Sequence, residues 1–207
     1  MTKHFERRAD IPTPTNAIIT EDVEADKKAP NHYAAHEEAV NRVFKDYPKN
    51  DDLVEILIKV CVLNDFYSTN ILSAFKMAQH ILNLKIDSRL AAKDLAVVND
   101  IALLDVGNGK MRNFYSFATK YCCHQNQDAY PIYDSYVARL LTYYAQVDKF
   151  DTFKPQDLRN YPRYCEVLRN FREHYALNSE KITTRELDAY LWRLGKKGFL
   201  QKKRGLP

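Results

Sequence analysis

Residues 113–141 read NFYSFATKYCCHQNQDAYPIYDSYVARLL, and this stretch decides how the chain is interpreted. Lys120 lies in its aromatic first half. Asp134 follows fourteen residues later, directly after Pro-Ile-Tyr, where a helical pattern begins. An amine and a carboxylate held beside aromatic side chains are the groups needed to attack a glycosidic carbon. A helical protein also uses such residues structurally, with Asp134 as a helix cap and Lys120 as a lysine whose stem packs along the surface.

Apolar residues on both sides of this stretch recur at helical spacing. Helices are predicted to start near Asn31, Asp52, Ile71, Asp87, Phe114, Asp134 and Thr183. The Asp52 helix is apolar almost all round apart from Glu55 and Lys59, which we expect to pair four residues apart. The chain has only five glycines among 207 residues and no clear strand alternation, so we predict an all-α fold.

Three segments are predicted along the chain. Residues 1–30 are rich in charge, Thr and Pro and read as an N-terminal arm or flexible tail. Residues 31–195 form the helical domain, and residues 196–207 form a basic C-terminal tail. From Arg193 to Arg204 there are six Lys or Arg and no acid, a run that suits either a solvated tail or a phosphate-contacting one.

Composition excludes several classes of protein. The net charge of +4 is mildly basic, unlike that of a histone-like protein. No apolar run of about 18 residues and no signal-peptide core occur, so we expect a soluble, cytoplasmic protein with no membrane partner. The four cysteines lack metal-ligand spacing, and we expect buried, reduced thiols with no metal and no organic cofactor.

Three stretches resemble a known family. They are VCVLNDFYSTNILSAFKMAQHIL (60–82), GNGKMRNFYSFATKYCCHQNQDAYPIYDSYV (107–137), and YCEVLRNFREHYAL (164–177) with LDAYLWRLG (187–195). Together they are similar to the helix-hairpin-helix DNA glycosylases, above all the 8-oxoguanine DNA glycosylase branch. The resemblance implies a two-lobed helical fold, a site between the lobes, and double-stranded DNA as partner. Because the glycines stand well before Thr119, either Lys110 or Lys120 can be the family-equivalent lysine.

The resemblance also implies roles for particular residues. Lys120 would be the nucleophile that forms a Schiff base, and Asp134 would stabilise charge on the sugar and activate the nucleophile. The flipped base would be held by Trp192, Tyr136 and Asp188. The DNA contacts and the gap left by the base would involve Asn64, Tyr67, Asn70, Gly107, Gly109, Lys110 and His124. Structural alternatives are a core position for Trp192, helix-breaking loop residues around Asn70, and a solvated His124.

Two classes of function therefore follow from the sequence. The first is a base-excision-type DNA glycosylase, with or without a Schiff-base lyase step. The second is a catalytically inactive helical module on the same scaffold that binds nucleic acid or protein. A helical protein–protein adaptor without any DNA role is the third alternative.

Overall fold

A computed structural model describes residues 7–28, 32–178 and 180–200 of the chain. Over these residues it contains ten α-helices and one small two-stranded sheet, which confirms the all-α prediction. The helices are α1 (Asn16–Lys28), α2 (His32–Asp46), α3 (Leu53–Tyr67), α4 (Ala74–Leu84), α5 (Asp87–Ala91), α6 (Val97–Ala102), α7 (Tyr115–Gln125), α8 (Ser135–Asp148), α9 (Tyr161–His174) and α10 (Thr184–Leu200). A 3-10 turn, Pro155–Arg159, precedes α9.

Polar side chains fix the starts of several helices. Asp52 Oδ1 accepts hydrogen bonds from the amides of Val54 at 2.8 Å and Glu55 at 3.0 Å. Thr183 and Glu186 form the predicted reciprocal capping box ahead of α10. Each interaction satisfies amide groups that the first helical turn leaves without carbonyl partners. These starts were predictable because each cap lies within a few residues of its helix.

The chain divides into two compact units. The continuous unit is Pro30–Ile132, and the two-segment unit combines Met1–Ala29 with Tyr133–Pro207. The continuous unit contains α2 to α7, with α3 packed on α2, α4 and α7. The two-segment unit contains α1 and α8 to α10, with α10 packed on both α1 and α8. The boundaries differ from the single helical domain predicted over 31–195.

The described part of the N-terminal segment is ordered in contacts with α8 and α10. Ile11 and Ile19 are completely buried, and α1 packs against α10. Arg193 on α10 pairs with Asp22 and Asp26 on α1. The described residues of this segment are therefore held against α8 and α10, as an arm would be, and do not form a flexible tail. Lys196 and Lys197 belong to α10, and residues 201–207 of the predicted basic tail lie outside the described residues.

A β-hairpin stands between α6 and α7, where no strand was predicted. Strand β1 (Leu103–Asp105) pairs antiparallel with β2 (Met111–Asn113), and Leu104 lies opposite Arg112. Gly107 and Gly109 have φ angles of +126° and +70°, which a glycine adopts without steric cost. No sequence pattern indicated this hairpin, because strands of three residues are too short to display an alternating pattern.

Two further expectations need correction. The helix predicted from Asp87 onward is divided into α5 and α6, separated by a turn in which Lys93 has φ +55°. The cysteines are free, but only Cys122 and Cys123 are buried, whereas Cys61 is exposed on α3. Among the described residues, no helix combines the length and apolar character needed to cross a bilayer.

A buried lysine organises the α2–α3 connection. Lys59 is 0% exposed, and its amine donates hydrogen bonds to the carbonyls of Tyr47 at 3.0 Å and Lys49 at 2.5 Å. It also donates to Asn50 Oδ1 at 2.8 Å, an atom that accepts the Tyr121 hydroxyl at 2.5 Å. Burial lowers the pKa of Lys59 to about 8. The amine thus caps the carbonyls that follow α2 and ties them to α7.

Candidate functional site

Helix α7 carries the lysine that the sequence placed at the centre of the site. Nine of its eleven residues are buried, so the helix is enclosed on nearly all sides. Lys120 is only 6% exposed. The side chain is therefore largely withdrawn from solvent, unlike that of a typical surface lysine.

The Lys120 amine has defined partners on two elements. Its Nζ lies 2.5 Å from Ser116 Oγ and 3.4 Å from the Ser116 carbonyl oxygen, one turn earlier on α7. It also lies 5.1 Å from the ring centroid of Tyr67, the last residue of α3. Ser116 and Tyr67 are each half-buried, so the amine is close to the surface but covered.

Tyr67 is in turn connected to α2 and α7. Its hydroxyl lies 3.0 Å from His124 Nε2, and His124 Nδ1 lies 2.9 Å from Asn41 Oδ1. Gln127 also donates to Asn41 Oδ1, so this oxygen is an acceptor and we assign the proton of neutral His124 to Nδ1. His124 Nε2 then accepts the hydroxyl proton of Tyr67. We call Lys120, Ser116, Tyr67, His124 and Asn41 the amine cluster.

Aromatic side chains of α2 and α3 pack against the amine cluster. Phe44 on α2 packs on His124 with ring centroids 5.4 Å apart. Phe66 packs on Tyr67 at 4.5 Å and on His36 at 5.5 Å. His124 is 8% exposed, so the predicted solvated alternative for this residue was wrong. The cluster is therefore assembled by α2, α3 and α7 of the continuous unit.

The other predicted catalytic and base-holding residues belong to the two-segment unit. Asp134 is the N-cap of α8, where its Oδ1 accepts the Tyr136 amide at 2.7 Å. Asp188 is 3% exposed on α10. Trp192 is half-buried on the same helix, with the Lys196 amine 4.5 Å from its ring. Trp192 is thus more exposed than the core position considered for it.

The residues predicted to fill a gap in DNA have different environments. Asn64 closes the α3–α4 loop: its Oδ1 accepts the Thr69 hydroxyl at 2.8 Å and the Ile71 amide at 2.9 Å. Asn70 is exposed, with φ +58° and a side-chain hydrogen bond to the Ser68 carbonyl. Asn64 therefore shapes the loop, whereas Asn70 presents its backbone and side chain to solvent.

The β-hairpin forms one wall of a surface groove with a volume of about 240 Å³. We call it the hairpin groove; its lining is Ile71, Leu72, Ser73, Leu104, Val106, Lys110, Arg112 and Phe114. Leu72 is 87% exposed at its edge. Lys110 and Arg112 form no ion pair with another described residue, so both charges are available to an anionic ligand. Lys76 adds a third cation beside Gly107, where it donates to the Val106 carbonyl at 2.7 Å.

The sequence alone did not identify several of these residues. Ser116 is four positions before Lys120 and shares its helix face, a spacing that would have revealed it. Asn41 is 83 positions from His124 and carries no such signal. Arg112 lies in a strand that was not predicted. Within the described parts of the chain, no group of three or more His, Cys, Asp or Glu side chains is arranged to hold a metal ion.

Comparison with known proteins places the chain in a family. Residues 18–129 match the model of the HI_0787_N family, described as an N-terminal domain. An uncharacterized protein of Haemophilus influenzae (strain ATCC 51907 / DSM 11121 / KW20 / Rd) is 43% identical over 159 residues, which cover 76% of this chain and 75% of that protein. No solved structure matches the chain significantly. The matched family region includes the whole amine cluster and the hairpin groove, and the chain belongs to the HI_0787_N family.

Proposed function

We propose that this protein is a DNA glycosylase that binds double-stranded DNA, flips a damaged base and cleaves its N-glycosidic bond. The observation that carries the proposal is the environment of Lys120. Its amine is covered, held by Ser116 and faced by the Tyr67 ring. An amine removed from bulk water beside aromatic side chains suits nucleophilic attack on a sugar carbon.

The proposed reaction balances in atoms and charge. The neutral Lys120 amine attacks C1′, the C1′–N bond breaks, and the base leaves with the bonding electron pair and takes up a proton from water. The sugar ring then opens at C1′–O4′, one amine proton passes to O4′ to give a hydroxyl, and a cationic iminium, the Schiff base, is formed. The Tyr67 ring face is suited to a cation at this position, because the quadrupole of an aromatic ring attracts positive charge.

Asp134 is proposed as the carboxylate that stabilises positive charge on the sugar. One of its oxygens is engaged by the Tyr136 amide, which fixes the orientation of the carboxylate. Trp192, Tyr136 and Asp188 are proposed to hold the flipped base. Lys120 and Asp134 lie in different units, so their roles are tested by separate variants.

The proposed DNA contacts centre on the hairpin groove. Lys110 and Arg112 supply cations that form no ion pair with another described residue, and we propose that the backbone of the Gly107–Gly109 turn also contacts the duplex. The exposed Asn70 lies on the α3–α4 loop next to the groove. Contacts of this kind to phosphates position a duplex without reading its sequence.

Borohydride trapping tests the lysine. Duplexes carrying one 8-oxoguanine, uracil, alkylated base or abasic site are incubated with the full chain and sodium borohydride. We expect a covalent adduct with at least one duplex, and its loss in Lys120→Gln. The control Lys45→Gln removes an exposed lysine of α2 and should trap like the parent. If Lys110→Gln abolishes the adduct while Lys120→Gln retains it, the nucleophile is Lys110.

The variant Asp134→Asn distinguishes the proposed catalytic role of the Asp134 charge from the role of this residue as the N-cap of α8. Asparagine caps a helix about as well as aspartate, so the fold should be retained. Removing the charge should lower the single-turnover rate by about 10² or more if the carboxylate stabilises the transition state. An unchanged rate would leave Asp134 with its capping role alone. Duplex binding without any trapping or base release would support the catalytically inactive binding module instead.

A further inference from the structure

We infer that Tyr67 is a positioning residue of the amine site, whose ring holds the Lys120 amine and is itself held by His124 and Asn41. The inference rests on the proposed function for its catalytic meaning, but its geometry is independent of DNA. It assigns to Tyr67 a role at the amine, in place of the gap-filling role that the family resemblance suggested.

The Lys120 side chain is restrained from two sides. Lysine is among the side chains that lose most rotamer entropy when they are fixed, so a reactive amine needs contacts on more than one side. Ser116 restrains Lys120 from its own helix through the 2.5 Å hydrogen bond. The Tyr67 ring restrains it from α3, at 5.1 Å from the ring centroid. Together these contacts define a single direction for the amine.

Tyr67 stands at the end of a helix, where its ring needs support from other elements. Tyr67 is the last residue of α3, and Ser68 follows in the left-handed region with φ +48°. Helix ends fray, so a side chain there keeps a fixed direction only through an external tie. The 3.0 Å contact to His124 and the 2.9 Å contact from His124 to Asn41 supply this tie from α7 and α2.

The nitrogen of Lys120 carries positive charge both at rest and in the proposed intermediate. The ammonium and the iminium are both cations, so a ring that attracts the resting side chain also attracts the intermediate. With the His124 tautomer assigned from its Asn41 contact, the Tyr67 hydroxyl donates to His124 Nε2, and this hydrogen bond keeps the Tyr67 ring electron-rich. Cation–π contacts are stronger where the cation is withdrawn from water, and Lys120 is only 6% exposed.

Lysine NMR tests the geometry without any DNA. In the full chain with ¹³C-labelled lysine, the Lys120 ε-methylene signal is identified by its absence in Lys120→Gln. We expect this signal upfield of exposed lysines in the parent and in Tyr67→Phe, and at the exposed position in Tyr67→Leu. Lys59 is the internal control, because it lies near the rings of Phe44 and Tyr121 and should not move. A Lys120 signal unaffected by Tyr67→Leu, with Lys59 also unmoved, would overturn the inference.

Single-turnover trapping then tests the consequence for catalysis. At saturating duplex, Tyr67→Leu should lower the trapping rate about tenfold with duplex affinity unchanged. The trapping rate of Tyr67→Phe should lie between those of Tyr67→Leu and the parent, because phenylalanine keeps the ring and loses only the hydrogen bond to His124. Phe75→Leu is the matched control, because Phe75 is an exposed aromatic residue of α4 outside the amine cluster, and it should behave like the parent. Loss of duplex affinity at an unchanged saturated rate would instead restore the gap-filling role. If the parent never traps, the proposed function fails while the NMR result still decides the geometry.

Discussion

At the scale of single residues, Lys59 shows how charge can be kept inside a small helical unit. Three oxygens accept hydrogen bonds from its amine, and the rings of Phe44 and Tyr121 lie near it. These contacts do not fully replace water, because the pKa of the amine falls to about 8. A depression of this size from 10.5 corresponds to about 3 kcal/mol against the charged folded state at neutral pH.

Because the pKa of Lys59 is lowered in the folded protein, we predict that the free energy of unfolding increases as the pH rises above neutral. Between the folded pKa of about 8 and the unfolded value of 10.5, the unfolded chain binds more protons, so a rise in pH favours folding. Relative to Lys59→Met, the parent should gain about 2 kcal/mol of unfolding free energy from pH 7.5 to 9.5. Urea denaturation of both proteins at each pH measures this difference. A difference that stays constant with pH would show that the amine is not desolvated.

Residue identity and spacing predicted the burial of Lys120 but not its neighbours. The aromatic run from Phe114 to Tyr121 correctly suggested burial of Lys120. The surroundings of Lys59 were missed: its helix pattern predicted a pair with Glu55, whereas the amine turns toward the α2–α3 connection. The i,i+4 spacing rule describes side chains on one helix. It gives no information about backbone carbonyls of a preceding loop, such as those that accept the Lys59 amine.

At the scale of elements, α10 approaches α8 through a position without a side chain. A Cβ on Gly195 would lie 2.7 Å from the Tyr136 carbonyl oxygen and 3.0 Å from its carbon, both backbone atoms. Gly198, one turn later on the same helix, has only Ile11 and Arg8 side-chain atoms nearby, at 3.4 Å or more. The two glycines therefore form a matched pair for substitution.

Gly195→Ala should destabilise the protein by about 1–3 kcal/mol, because backbone must move to admit the methyl group. Gly198→Ala should be neutral or stabilising by up to about 1 kcal/mol, since alanine favours the helix. Thermal and urea unfolding of the two variants give the comparison. Equal effects would contradict the close approach of α10 to Tyr136.

Elements with local signals were predicted well, and those without such signals were not. Asp52, Asp134 and Thr183 each mark a helix start because a cap acts within three residues. The β1–β2 hairpin was missed because its turn signal, Gly107 to Gly109, joins strands of only three residues. The break between α5 and α6 was also missed, since Leu95 and Val98 continue the apolar spacing across it.

At the scale of the whole molecule, the proposed DNA affinity depends on where cations lie. The net charge of +4 is modest, and many arginines, including Arg163 and Arg193, are already paired with acids. Lys110 and Arg112 form no ion pair with another described residue and both line the hairpin groove, which makes them candidates for phosphate contacts.

The double variant Lys110→Gln/Arg112→Gln should therefore weaken binding of an undamaged duplex and flatten its salt dependence. Two lost phosphate contacts reduce the slope of log K against log salt by about 2. Arg42→Gln/Lys45→Gln removes the same net charge from α2, outside the groove, and should leave the slope near that of the parent. Fluorescence anisotropy over a salt series measures both. Equal slopes for the two double variants would remove the groove from the DNA interface.

Assembly over long sequence distances was beyond prediction from the sequence. Asn41 meets His124 from 83 positions away, and Arg193 pairs with Asp22 from 171 positions away. No spacing rule connects such residues, so the amine cluster and the packing of the N-terminal segment became visible only in three dimensions. The all-α class, by contrast, follows from glycine scarcity and helical periodicity, which every segment carries locally.

The two-segment unit has a consequence for biosynthesis. Its first segment, with Ile11 and Ile19, is synthesised before the α10 surface that α1 covers. The intervening 103 residues of the continuous unit can acquire their native contacts while translation proceeds. Until α10 has been synthesised, these two isoleucines lack their native cover, and we expect them to be accessible to a chaperone that binds short apolar segments.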